Sequence, residues 1–185
     1  DGSRPGVYYA SSQGTQSRYD LPTVAYHEAI PGHHFQLSIA QDLDLPLFRK
    51  GIQINFLVEG WALYAEQLVD ELGFYQDDPY GRLGRLQWEA FRAARLVVDT
   101  GLHHKKWGYD QAVEYMVENT GQPAGYVSYE VARYIVIPGQ ALSYKMGMLE
   151  ILKQRQRAQE ALGDQFDLKE FHNLLLGNAS IPQEV

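Results

Sequence analysis

The chain contains no cysteine in 185 residues, which excludes disulfides and every cysteine-ligated zinc site. Long hydrophobic runs are missing too. No stretch approaches the roughly 20 apolar residues of a membrane span, and no leader with a charged start and an apolar middle is visible. Positive charge is scarce: 16 lysines and arginines stand against 23 aspartates and glutamates, a formal net charge of −7. Apart from HHKK at 103–106 the basic residues are scattered, so nucleic acid is not an expected partner. Nothing repeats at a fixed period, and no segment is of low complexity.

What remains is an apolar content of 45%, enough to bury one sizeable core, so residues 1–185 are expected to form a single domain. The opening DGSRPGVYYASSQG reads as the interior of a longer protein. Residues 1–20 are rich in Gly, Ser and Gln and form a loop-rich entry segment, in which VYYA could pair as a short strand. Helical signals then take over. Pro22 and Thr23 offer a helix start, with apolar positions running to about Leu43 before DLPL breaks it. A second helix is expected over residues 55–72, with Phe56, Leu57, Leu63, Tyr64 and Leu68 on one face and Gly73 as its stop. A third starts near Asp78-Pro79 and ends near Gly101. Asp110 is a candidate cap for a fourth, closed by Gly121. PAGYVSYEVARYIV reads as a fifth, interrupted at Pro138, and GQALSYKM opens a long sixth. Asp167 could start a short seventh through Leu176. The expectation is a mainly α, multi-helix domain, with any strand short and near the N-terminus.

The chemistry concentrates in AYHEAIPGHHFQ, residues 25–36. His27 and Glu28 open it as HExxH would, where histidines four apart share a helical face and the Glu acts as base. Here the next histidines come six and seven residues on. Six residues of ideal helix turn about 600°, which puts His33 on the wrong side. Seven turn about 700°, so His34 faces the right way but lies about 10.5 Å along the axis. Pro31 breaks the hydrogen-bond ladder and Gly32 tolerates the backbone that results. A local bulge of two residues would therefore return His33 to the second ligand's place, and widened turns of this kind concentrate at functional sites. The bland alternative is a histidine cluster beside a proline kink.

A third ligand is available in NFLVEGWALYAEQLVDELG. Glu59 sits in a strongly apolar stretch, where a carboxylate needs a cation or a strong donor. Zinc peptidases with a glutamate third ligand carry it on the following helix, some twenty to thirty residues on. Glu66, one heptad later on the same face, competes with Glu59, and an ordinary pair with Arg or Lys is the structural alternative.

Taken in order, DGSRPGVYY, LPTVAYHEAIPGHHFQ, NFLVEGWALYAEQL, VVDTGLHHKKW and YIVIPGQALSYKMG resemble the bacterial domain-of-unknown-function family numbered 885, from the first residue nearly to the last. The resemblance implies a helical metallopeptidase related to the glutamate-zincins, the group of thermolysin-like, neurolysin-like and angiotensin-converting-enzyme-like peptidases. The two extra residues within HExxH depart from that group. They leave open which of His33 and His34 binds and whether Glu28 keeps its role as base. Family members are much longer than this chain, which implies a C-terminal catalytic portion whose N-terminal helical half is a missing partner. The same resemblance favours His103 as a cleft residue.

Amide hydrolysis also needs donors for the oxyanion. SYEVARYIVIPGQALSYKMG offers Tyr129, Arg133, Tyr134, Gln140 and Tyr144. Tyr134 and Tyr144 are the leading donors and Arg133 a candidate to hold a substrate carboxylate, although most of the 13 tyrosines should simply pack with their hydroxyls at a rim. Asp99 could orient a histidine from behind. His172 reads as a surface residue.

The expectation is a zinc-dependent peptidase. His27, His33 and Glu59 would bind Zn²⁺, with His34 as the alternative to His33. Glu28 would take a proton from the attacking water and pass it to the leaving amine, and a peptide would be the substrate. Two other classes compete: a non-catalytic helical binding domain with a vestigial metal site, and a metal-dependent hydrolase of non-peptide amides or esters. A location outside the cytoplasm is weakly favoured.

Overall fold

A computed structural model describes residues 4–10 and 17–181. Among these residues there are nine α-helices and no strand. They are α1 (Leu21–Glu28), α2 (His33–Asp42), α3 (Leu47–Gly51), α4 (Asn55–Glu71), α5 (Pro79–His103), α6 (Tyr109–Thr120), α7 (Ala124–Val136), α8 (Ser143–Leu162) and α9 (Leu168–Leu176). A 3-10 turn at Gln140–Leu142 leads into α8. The mainly α expectation holds. The VYYA patch forms no strand, and residues 11–16 of the entry segment lie outside the described residues.

The helix boundaries follow local chemistry. Asp78 starts α5, its carboxylate accepting from the Gly81 N–H at 2.9 Å, with Pro79 at the first helical position. Asp167 does the same for α9, accepting from Lys169 and Glu170 at 2.8 and 2.9 Å. Gly121 closes α6 with φ of 65°, a left-handed conformation that suits glycine. Asp110 does not cap α6. Gly108 holds that position and Asp110 falls inside the first turn, where its charge faces the positive end of the helix dipole. The five-residue α3 follows the DLPL break.

Two apolar clusters organise the chain. Leu57, Trp61, Leu63, Tyr64 and Leu68 of α4 pack with Met148 and Ile151 of α8 and Leu176 of α9. Phe91, Ala94 and Val98 of α5 pack with Ala112 and Met116 of α6 and with Val127, Val131 and Tyr134 of α7. Helix α4 is the central element, because its residues 60–66 are all buried rather than only one face. Its contact with α8 is the most extensive in the molecule. The two backbones meet at Gly60 and Gly147, where a Cβ on Gly60 would lie 2.5 Å from the Gly147 Cα. Ion pairs join the clusters: Arg85 of α5 reaches Asp70 of α4 at 3.0 Å, and Lys145 of α8 reaches Glu89 of α5 at 2.6 Å.

Candidate metal centre

The helical stretch expected from Pro22-Thr23 to about Leu43 is interrupted between Glu28 and His33, where the sequence placed a bulge at Pro31-Gly32. Its hydrogen bonds report how. The Gly32 N–H donates to the Tyr26 carbonyl at 3.0 Å and the Phe35 N–H to the Ala29 carbonyl at 3.3 Å, each spanning six residues where a helix spans four. Two residues are thus looped out at the position where Pro31 cannot donate. The Ile30-Pro31 peptide is cis. Gly32 is required by closeness, because a Cβ there would run into the His27 carbonyl. From α4, the Trp61 indole N–H donates to the Pro31 carbonyl at 2.9 Å and fixes the widened turn against the central helix.

With that turn in place, His27 at the end of α1, His33 at the start of α2 and Glu59 on α4 converge. His33 Nε2 lies 3.3 Å and His27 Nε2 3.8 Å from Glu59 Oε2, and one ligand atom from each of the three lies within 4.8 Å of the others. The imidazole rings meet edge to face at 4.7 Å. His34, next in sequence, is exposed and turned to Gly6 of the entry segment.

Glu66 stands behind the group. One heptad after Glu59, it accepts from His27 Nδ1 at 2.7 Å. That bond orients the ring and directs Nε2 toward Glu59, the arrangement by which carboxylates fix ligating histidines. Burial pulls the His27 pKa down, but the carboxylates of Glu59 and Glu66 outweigh it and hold it above its ordinary 6.5. Burial pushes the Glu59 carboxyl up, and the two imidazoles outweigh that, holding it well below the carboxylate range.

These residues fit a zinc ion on their chemistry. The donor set is two imidazole nitrogens and a carboxylate oxygen, and tetrahedral zinc at about 2.0–2.1 Å keeps its ligand atoms roughly 3.3 Å apart. Glu59 Oε2 is buried without a hydrogen-bond partner, a costly state for a carboxylate oxygen unless a cation meets it.

The remaining predicted residues divide. Gln140 and Tyr144 join the site: the Gln140 amide lies 3.5 Å from Glu59 Oε1 and 3.4 Å from the Tyr144 hydroxyl, and the Tyr144 ring stacks on His27 at 6.2 Å. Tyr134 is engaged elsewhere. Its hydroxyl, 3% exposed as a residue, accepts from Arg95 Nε at 2.9 Å and donates to Glu130 at 3.3 Å. Arg133 pairs with the same Glu130 at 2.6 Å, and Tyr129 is exposed. His103 Nε2 meets the Tyr134 carbonyl at 2.9 Å, tying α5 to the last turn of α7. Asp99 accepts from the Gly139 N–H at 3.0 Å and orients no histidine; Glu66 has that role. His172 is half-buried against Trp61 and accepts from the Tyr64 hydroxyl at 2.7 Å, so it is not a plain surface residue. Sequence reasoning passed over Trp61 as an anchor of the turn, although an indole N–H in an apolar stretch signals a need for an acceptor.

Glu28 is exposed and lines a cleft of about 1330 Å³ together with His34, Trp88, Gln122, Tyr126 and residues 6–10 of the entry segment. His27, His33 and Glu59 do not line this cleft, so successive residues of α1, His27 and Glu28, serve the buried cluster and the open wall respectively.

A family model described as "Bacterial protein of unknown function (DUF885)" matches residues 1–185. The fold is similar to two solved structures, each described as a "putative lipoprotein". One, from Colwellia psychrerythraea, is 52% identical, with a TM-score of 0.89 over 90% of this chain and 29% of its own. The other, from Shewanella oneidensis and of unknown function, is 26% identical, with a TM-score of 0.89 over 100% of this chain and 36% of its own. The chain thus spans about a third of the length of the solved proteins it matches. No curated protein matches it.

Proposed function

The chain belongs to the bacterial family DUF885, and from that premise we propose that it carries the metal site of a zinc-dependent peptidase. The observation that supports this most is the convergence of His27, His33 and Glu59 across three helices, with Glu28 adjacent on an open cleft. In this reading His27, His33 and Glu59 hold the ion, and Glu66 keeps the His27 ring in its ligating orientation. A bound zinc supplies Lewis-acid chemistry at that point. Glu28 takes a proton from the attacking water and delivers it to the leaving amine. Gln140 and Tyr144, beside Glu59, donate hydrogen bonds to the oxygen that becomes negative. The arrangement parallels the glutamate-zincins, with two extra residues looped out of the histidine motif.

The substrate in this reading is a peptide that approaches the ligands from the cleft wall carrying Glu28. The longer relatives suggest that the rest of a complete protein closes the cleft's other side. Their description as lipoproteins fits a site of action outside the cytoplasm.

The test is elemental analysis of the intact protein beside a peptide-cleavage assay. One zinc per chain is expected. Glu28→Gln should keep the metal and lower hydrolysis about 10²- to 10⁴-fold, whereas Glu59→Ala should lose the metal. A wild-type protein that takes up no zinc overturns the reading.

A further inference from the structure

Tyr144, beside the candidate ligands, is held by its ring more than by its hydroxyl. The Gln140 amide reaches that hydroxyl at 3.4 Å, a long contact for a hydrogen bond. The ring is better engaged. It stacks on the His27 imidazole with planes 17° apart. The Arg95 guanidinium lies against it, its Cζ 4.6 Å from the ring centre, and Arg92 flanks the same ring at 5.5 Å. Both distances are within the reach of a cation–π contact.

Arg95 is itself fixed from behind. It is 4% exposed on α5. Its Nη2 donates to Glu130 at 2.6 Å and its Nε to the Tyr134 hydroxyl at 2.9 Å, and that hydroxyl donates onward to Glu130 at 3.3 Å. Glu130, also buried, is anchored in turn by Arg133 at 2.6 Å. The guanidinium plane is thus pinned at two nitrogens by two residues one turn apart on α7. A buried ion pair is a poor means of stabilising a fold, because desolvation offsets the attraction and apolar side chains often serve as well. What this pair supplies instead is a planar cation held in one orientation. Of the rings around that cation, Phe91 and Tyr134 belong to the α5–α6–α7 core, whereas Tyr144 touches a candidate ligand.

We infer that Arg95, set in place by Glu130 and Tyr134, is the positioning residue for Tyr144. It keeps the ring against His27 and the hydroxyl beside the Gln140 amide that also meets Glu59. Without the guanidinium, one rotation about the Tyr144 Cα–Cβ bond carries the hydroxyl out of the site. The inference deepens the peptidase reading and rests on it. Tyr134, a sequence-based candidate for the oxyanion donor, then contributes from one residue further back, through Arg95.

The test is a double-mutant cycle on the intact, zinc-loaded protein, with kcat and KM measured on one internally quenched peptide. Tyr144→Phe should lower kcat about 10²- to 10³-fold. Arg95→Lys keeps the charge, loses the two-nitrogen fork and leaves Arg133 paired with Glu130. It should lower kcat about 10- to 100-fold with KM and zinc content unchanged. In the Tyr144→Phe background the same change should cost less than about twofold, because its target is gone. An ion pair that merely joins α5 to α7 would act equally in both backgrounds, and that result overturns the inference, as does an unchanged kcat. Should Arg95→Lys fail to fold, Glu130→Gln, which loosens the fork and removes no ring contact, should give the same pattern. A second readout needs no activity. Fluorotyrosine placed at position 144 should give a fluorine NMR resonance whose shift between H₂O and D₂O grows in either variant, as the ring swings toward solvent. A solvent shift unaltered in both variants overturns the inference whatever the assay shows. Absence of zinc or of cleavage beside an altered solvent shift counts against the peptidase reading alone.

Discussion

At the scale of single residues, the candidate site depends on two side chains that bind no ligand. Glu66→Ala removes the acceptor that orients His27, and zinc affinity measured by chelator competition should fall about 10- to 100-fold with the stoichiometry unchanged. An unaltered affinity would mean that Glu66 only fills space. Trp61→Phe keeps a ring in the core but deletes the bond to the Pro31 carbonyl. It should cost about 0.5–1.5 kcal/mol in denaturant unfolding and also weaken zinc binding, because the turn it anchors places His33. The grouping of His27, His33 and Glu59 was legible because two of the three lie in one short motif broken by Pro31-Gly32 and the third is a carboxylate in a strongly apolar stretch, both of which the sequence displays directly. The role of Glu66 behind His27 was not. Seven residues apart, Glu59 and Glu66 share a face, and only the angle at which α1 crosses α4 decides which meets Nε2 and which Nδ1. Tyr134 misled for a different reason: its hydroxyl is buried with Arg95, 39 residues away, which no local pattern announces, as well as with Glu130 one turn earlier on the same helix.

At the scale of elements, the α4–α8 crossing and the seat of α9 are open to test. Gly60→Ala would push a methyl group onto the Gly147 backbone, which cannot yield as a side chain would. It should destabilise by about 1–3 kcal/mol and lower the melting temperature by several degrees, at roughly 2–4 °C per kcal/mol for a chain of this size. The seat of α9 should respond to pH. Burial, and then the Arg155 cation, hold His172 below its ordinary 6.5, and its neutral Nε2 accepts from Tyr64. The unfolded chain therefore takes up this proton first. Stability from this contact is complete above about pH 6.5 and drains as pH falls through and below it. Because His27, held above its ordinary value, gains stability over the same range, the contact is read as the difference between wild-type and His172→Gln melting curves from about pH 7.5 to 5; identical slopes would assign the pH dependence to other groups. Most helices were readable because caps and glycine stops are local chemistry. The five-residue α3 was not, being too short for any periodicity to show.

At the scale of the whole molecule, composition and periodicity announced a mainly α chain, but not its division into an α4–α8–α9 cluster and an α5–α6–α7 cluster, which depends on contacts between residues far apart in sequence. The candidate ligands come from α1, α2 and α4, so an ion held there joins three elements at once. Zinc at 100 times its dissociation constant should stabilise the fold by about 2.7 kcal/mol. Removing it with a chelator should lower the melting temperature of wild-type protein and leave Glu59→Ala unaffected; equal shifts in both would indicate that the chelator acts elsewhere. The widened turn has a consequence for ancestry. Excising Pro31 and Gly32 would leave the letters His-Glu-Ala-Ile-His in an unbroken row, so a single two-codon event separates this chain from one that any text search would retrieve. Lineages on either side of such an event would carry the same three side chains in the same place and yet be catalogued as strangers.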